Sequence, residues 1–166
     1  MLFGCHCSKQ AGVPSTNDPS APTVEKPKPQ MPKGRLLRVT SFYQGMMMQP
    51  FSRFNLHRDT VAGTTKLAFY HYSNETECVV SDTLLDAARS IIEEEKMYEY
   101  APEYSLKLDE RILDGYHWGF TADFEGDEHL SSGGSNVSPG GNGISRLERL
   151  LFEAARACVE PEKNEE

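Results

Sequence analysis

Residues 66–95, KLAFYHYSNETECVVSDTLLDAARSIIEEE, change their hydrophobic period partway along. Lys66 to Tyr72 is rich in β-formers, Ser73-Asn74-Glu75 supplies turn residues, and Glu77 to Val80 returns as a second strand. From Ser81 the period changes to that of a helix. Leu84, Leu85, Ala88, Ile91 and Ile92 recur at three- and four-residue spacing and form one apolar stripe. Ser81 or Asp82 is placed to cap this helix, and Val80 to staple onto Leu85. Glu93-Glu94-Glu95 reads as a solvated end. A hairpin followed by an amphipathic helix puts the chain in the α+β class.

The flanking sequence repeats this grammar. Upstream, Leu36 to Tyr43 is a β-rich run, Phe54 to Arg58 alternates apolar and polar, and Asp59 to Thr64 is a turn. Downstream, Tyr104 to Ile112 is ambiguous, with weak alternation at Leu106 and Leu108. Trp118, Phe120, Ala122 and Phe124 alternate cleanly, residues 125–128 turn the chain, and His129 to Ser132 pairs back. A glycine-rich loop over 133–143 then leads to a last helix. Ser145 and Glu148 read as its capping box, and Leu147, Leu150, Leu151, Ala154, Ala155 and Cys158 as its apolar stripe. The expected architecture is an antiparallel sheet with two helices packed on one face, a two-layer sandwich. The expected limits are a structureless leash over 1–34, one domain over 35–160 and a frayed acidic tail over 161–166.

Composition narrows the function. Of 166 residues, 38% are hydrophobic, enough for one core. No apolar run approaches the roughly 18 residues that a membrane helix needs. The formal charge of −8 splits into +2 over residues 1–34 and hence −10 over 35–166. So acidic a domain repels phosphate backbones, which argues against nucleic acid as a partner. The four cysteines, Cys5, Cys7, Cys78 and Cys158, are too widely spread to read as a disulfide framework. Cys78 lies in a strand pattern and Cys158 on a helix stripe, so both read as small buried hydrophobes.

Leu2-Phe3-Gly4-Cys5 resembles the lipidation box of small uncharacterised bacterial lipoproteins, and the Pro/Ser/Thr/Lys-rich stretch over 8–34 resembles their linkers. Prolines at 14, 19, 22, 27, 29 and 32 keep that stretch extended. The resemblance implies a lipid on Cys5, attachment to the membrane of the cell envelope, and a domain held off its surface. Only four residues precede Cys5, so it also implies an export segment upstream of Met1 or one already removed. It carries no reaction mechanism. Otherwise the chain reads as cytoplasmic, an accessory protein with a disordered N-terminus. Cys5-His6-Cys7 lacks the second ligand pair that a zinc site uses, so it reads as a lipidation site or plain tail.

Candidate binding residues come from two places. Tyr98, Tyr100, Tyr104, Tyr116 and Trp118 crowd one segment, and such rings suit a protein or glycan partner. Alternatively, Trp118 anchors the core and the tyrosines rim it. In the 133–143 loop, Gly133, Gly134 and Asn136 stand ahead of a helix N-terminus, which can hold an anion. The loop lacks the Lys-Ser/Thr of a phosphate-binding loop, and its context does not fit a dinucleotide fold. No motif calls for a cofactor or a metal. The alternative reading, a small metal-dependent or hydrolytic enzyme, would draw on the 133–143 loop and on His57, His71, His117 and His129 in strands, as pairs 57/71 and 117/129 with Asp59 or Asp123. The leading expectation is a non-catalytic, lipid-anchored binding protein with Tyr98, Tyr100, Tyr104, Trp118, Gly133, Gly134 and Asn136 as contacts.

Overall fold

The computed structural model of the chain describes residues 28–45, 51–71, 73–106 and 115–160. Cys5, the Met46-Met47-Met48 run and Leu108 to Ile112 lie outside them.

Strands β1 (Leu36–Gln44), β2 (Phe51–Asp59), β3 (Thr64–His71) and β4 (Asn74–Val80) come first, followed by helix α1 (Thr83–Glu94). A short 3₁₀ turn over Met97–Glu99 leads to β5 (Glu103–Tyr104), β6 (His117–Phe124), β7 (His129–Ser135) and helix α2 (Gly143–Val159). The strands form one seven-stranded sheet in the order β4-β3-β2-β1-β6-β7-β5. The fold is α+β, as the change of period implies. The sheet differs from the expected one in a single pairing, since β5 runs parallel to β7 through Glu103–Gly133 and Tyr104–Gly134. Weak alternation at Leu106 and Leu108 held no sign of that pairing.

Alternation sorts the sheet into two faces. Val39, Leu56, Leu67, Phe69, Phe120 and Ala122 point to one side and are buried. Leu85, Ala88, Ile91 and Ile92 of α1 and Leu147, Leu151 and Ala155 of α2 close over them in one cluster. Each fully buried Leu, Ile or Phe contributes about 1.5–3 kcal/mol, so this layer supplies most of the driving force. The predicted stripes face the core, with Leu84, Leu150, Ala154 and Cys158 half-buried at the margin.

Several local predictions are corrected. Asp82 is the N-cap of α1, but its side chain makes no cap bond. It instead accepts from Thr65 Oγ1 at 2.5 Å and from Arg58. Ser81 Oγ takes the Thr83 amide at 3.3 Å. The capping box at Ser145 is not formed. Helix α2 starts at Gly143, which places Ser145 in its first turn, and Glu148 reaches Ser41 Oγ at 3.4 Å. Glu94 and Glu95 are not a free solvated end: Arg146 bridges them at 2.8 and 2.7 Å and ties α1 to α2. A cation held between two carboxylates outweighs their mutual repulsion, which local sequence cannot show.

The largest correction concerns the cysteines. Cys78 and Cys158 are joined by a disulfide, with a Cα–Cα distance of 6.3 Å and a sequence separation of 80. Cys78 stands on the covered face of β4, in register with Leu67. Cys158 lies on the last turn of α2. Read singly, each is a small apolar residue; packed, the two stripes meet at the sheet edge.

The leash docks earlier than its composition suggests. Met31 packs against the core and Pro32 is buried. Arg89 donates to the carbonyls of Pro32 and Gly34, and the Lys33 amide donates to Glu128 at 3.0 Å. The chain thus enters beside Leu36 and the 125–128 turn. Gln44, His117 and Ser135 mark the opposite end of the sheet.

Candidate functional site on the uncovered sheet face

The sequence-predicted contacts gather at the end of the sheet away from the leash, but they are occupied with one another. Trp118 is buried to 2% exposure, and its indole N–H donates to the Val137 carbonyl at 2.7 Å. The Tyr104 ring lies against it at 5.7 Å, and the Tyr104 hydroxyl accepts from the Ala101 amide at 3.1 Å. Tyr116 stacks on Tyr43 at 5.6 Å and shares a hydrogen bond with Ser138. Tyr100 sits against Gly143 at the start of α2, where burial pushes its hydroxyl pKa up, with Glu95 adding to the shift. Tyr98 is half-buried on the 3₁₀ turn.

The glycine-rich loop is shorter than expected because β7 runs on to Ser135. Gly133 and Gly134 are therefore strand residues. A Cβ on Gly134 would fall 2.6 Å from the Tyr104 carbonyl oxygen, so glycine is what lets β5 pair there. Asn136 adopts a positive φ of 59° and exchanges two bonds with Tyr116, Oδ1 accepting at 2.8 Å and the amide donating at 2.9 Å. The anion attracted by the α2 N-terminus comes from within the chain: Glu95 accepts from the Asn142 amide at 3.3 Å. The Arg146 hydrogen bond, aided by that amide, holds the Glu95 carboxyl below its usual pKa.

Strand register also separates the histidines. His57 stands opposite Lys66 rather than His71, and His71 opposite Asn74. His117 pairs with Ser135 and His129 with Asp123, at opposite ends of their hairpin. His129 bonds Asp123 at 2.6 Å and His117 bonds Ser135 at 2.7 Å, both locally. Asp59 is committed to the amides of Val61 and Ala62 and to Lys66. No group of three His, Cys, Asp or Glu residues converges among the described residues.

What tertiary structure does assemble is the face that neither helix covers. Its central row, set by register, runs Ala68, Asn55, Thr40, Thr121, Ser131. The Thr40 and Thr121 hydroxyls bond each other at 2.5 Å. On one side lies the row Lys66, His57, Arg38, Asp123, His129; on the other, Phe42 stands between Arg53 and Gly119. The Phe42 ring lies across Gly119, where a Cβ would fall 2.1 Å from its edge carbon. Phe42 is 38% exposed even so. Asn55 Oδ1 and His57 Nδ1 are buried by their neighbours and have no hydrogen-bond partner among the described residues. An unpartnered buried polar atom costs about 1–3 kcal/mol, so two at neighbouring positions of the open face mark where a hydrogen bond would be gained. Sequence reading named neither Asn55 nor this use of His57. The Phe54-Asn55-Leu56-His57-Arg58 alternation held the signal, since it puts both on the polar side of one strand.

Behind this face, on the covered side, burial raises the pKa of the Glu148 carboxyl, against the pull of its Ser41 hydrogen bond. Compared with known proteins, the chain matches no family model, no curated protein and no solved structure.

Proposed function

We propose that the chain is a binding protein of the cell envelope, anchored by a lipid on Cys5 and engaging its partner through the uncovered sheet face. One observation carries this reading, the Cys78–Cys158 disulfide. Such bonds persist in oxidising compartments and are rare where thioredoxin and glutathione keep thiols reduced. Together with the lipidation-box resemblance at Cys5 it favours export over a cytoplasmic accessory role. Binding rather than catalysis is favoured because the registers hold the histidines apart. No helix among the described residues is long and apolar enough to cross a membrane, so the proposed attachment rests on Cys5.

The test is made on native cells. Free thiols are alkylated before lysis, and incorporation of labelled fatty acid is followed for the native chain and for Cys5→Ser. The reading expects Cys78 and Cys158 to be protected from alkylation, and a label that Cys5→Ser abolishes. Reduced cysteines in an unlabelled chain would return the protein to the cytoplasm.

A further inference from the structure

Resting on that reading, we propose that the partner is an acidic polysaccharide, with carboxylates on its repeat, lying along β1 and β2 between Arg38 and Arg53. Both arginines are exposed at the middle of the sheet. Arg38 has no ion-pair partner among the described residues, and the Arg53 guanidinium lies over the Tyr70 ring at 5.9 Å. Neighbouring charges are spoken for: Lys66 contacts Asp59 and Glu77, and Asp123 is held by His129. Two cations that make no ion pair among the described residues, Arg38 in register with the His129-bonded Asp123 and Arg53 over Tyr70, can each pair with an anionic ligand. Arg53 stands opposite Phe42, four residues along β1 from Arg38, so the two are spaced by roughly 13 Å. That span suits a polymer with repeated charge better than a single small anion.

The chemistry between the arginines favours a glycan over an acidic peptide. An extended peptide satisfies its backbone by adding to a sheet edge, and a sheet face offers it no main-chain partners. A polysaccharide needs only side-chain donors and acceptors. The row Asn55, Thr40, Thr121, Ser131 carries both kinds, with one donor spent on the Thr40–Thr121 bond, and Asn55 Oδ1, buried by its neighbours, has no partner among the described residues. Phe42, flattened over Gly119, offers a ring face to the apolar side of a sugar.

Titration of the full-length, disulfide-bonded chain with polygalacturonate, dextran and poly-L-glutamate tests this. Polygalacturonate is expected to bind, more weakly as salt rises, with the uncharged dextran and the peptide polymer at least tenfold weaker. Arg38→Gln and Arg53→Gln should each lower affinity about tenfold, as loss of a charge-assisted bond does. Arg149→Gln, which makes the same charge change on exposed helix surface, should leave binding unchanged. Phe42→Ala should weaken binding without altering its salt dependence. Thermal melts establish that each variant is folded. Equal binding of poly-L-glutamate would make the partner an acidic polypeptide and overturn the proposal. So would equal losses from Arg149→Gln and Arg38→Gln, or no binding of polygalacturonate. A lipid-labelled, disulfide-bonded chain that ignores polygalacturonate defeats this inference alone, whereas a reduced, unlabelled chain defeats the envelope reading.

Discussion

The two faces of one sheet follow opposite rules. On the covered face Leu56, Leu67 and Phe69 are sealed against the helices, and the buried polar residues find partners: Ser41 in Glu148, Thr65 in Asp82 and Ser132 in the Ala101 carbonyl. On the uncovered face the same strands present, among the described residues, Asn55 and His57 with unpartnered side-chain atoms and Arg38 and Arg53 without an ion pair. Apolar burial does not require particular partners, whereas polar groups do. Among the described residues the covered face is nearly complete, with the buried Tyr100 hydroxyl left unpartnered, and the uncovered face holds the features that a second molecule would complete.

Breaking the covered layer should have the largest effect. Replacing both Cys78 and Cys158 by Ser releases a loop whose ends are 80 residues apart. Loop entropy puts the loss at about 4.5 kcal/mol, read as a lower midpoint in urea. Reduction of the native chain should lower the midpoint equally. Leu56→Ala leaves a cavity at a site of 0% exposure and should cost about 3 kcal/mol in the same assay. Phe42→Ala, on the other face, should cost under about 1 kcal/mol, and an equal cost would erase the contrast between faces.

Smaller effects sharpen the contrast. Asn55→Val removes an unpartnered acceptor and adds a β-former, so it should stabilise the free protein by about 1 kcal/mol while weakening ligand binding. Glu148 gives a pH signature for the covered side. Burial raises its folded-state pKa above the unfolded one, so its protonated form favours the fold. That stability is full below the unfolded pKa and is lost as pH rises through the folded pKa. Glu148→Gln should flatten this decline and raise the melting temperature at pH 7. Asp82 has the opposite sign: the Thr65 hydrogen bond, then Arg58, lowers its pKa. Its contribution is present above the unfolded pKa and fades as pH falls through the folded one. Asp82→Asn should thus destabilise at neutral pH and hardly at all in acid.

Much of the fold was legible because hydrophobic period is local. The stripes of α1 and α2 and the alternation over Trp118–Phe124 mark what is buried. The candidate site was less legible, because it depends on which strand lies beside which. Tyr100, Tyr104 and Trp118 cluster in sequence and in space, yet they face inward or hold one another. Gly133 and Gly134 read as a ligand loop until both are seen to be β7 residues, Gly134 leaving room for Tyr104 of β5 and Gly133 for the Trp118 carbonyl of β6. Asn55 and Thr40 were unremarkable until register placed them side by side.

The sequence by itself determined the α+β class, the buried side of each helix and the acidic charge of the domain, because each follows from residues within a few turns of one another. Tertiary structure alone decided the Cys78–Cys158 bond, the Arg146 bridge to Glu94 and Glu95, and the company of Arg38, Asn55 and His57 on the open face. Those depend on contacts between distant segments. Pairing and packing energies set such contacts only once the strand order is in place.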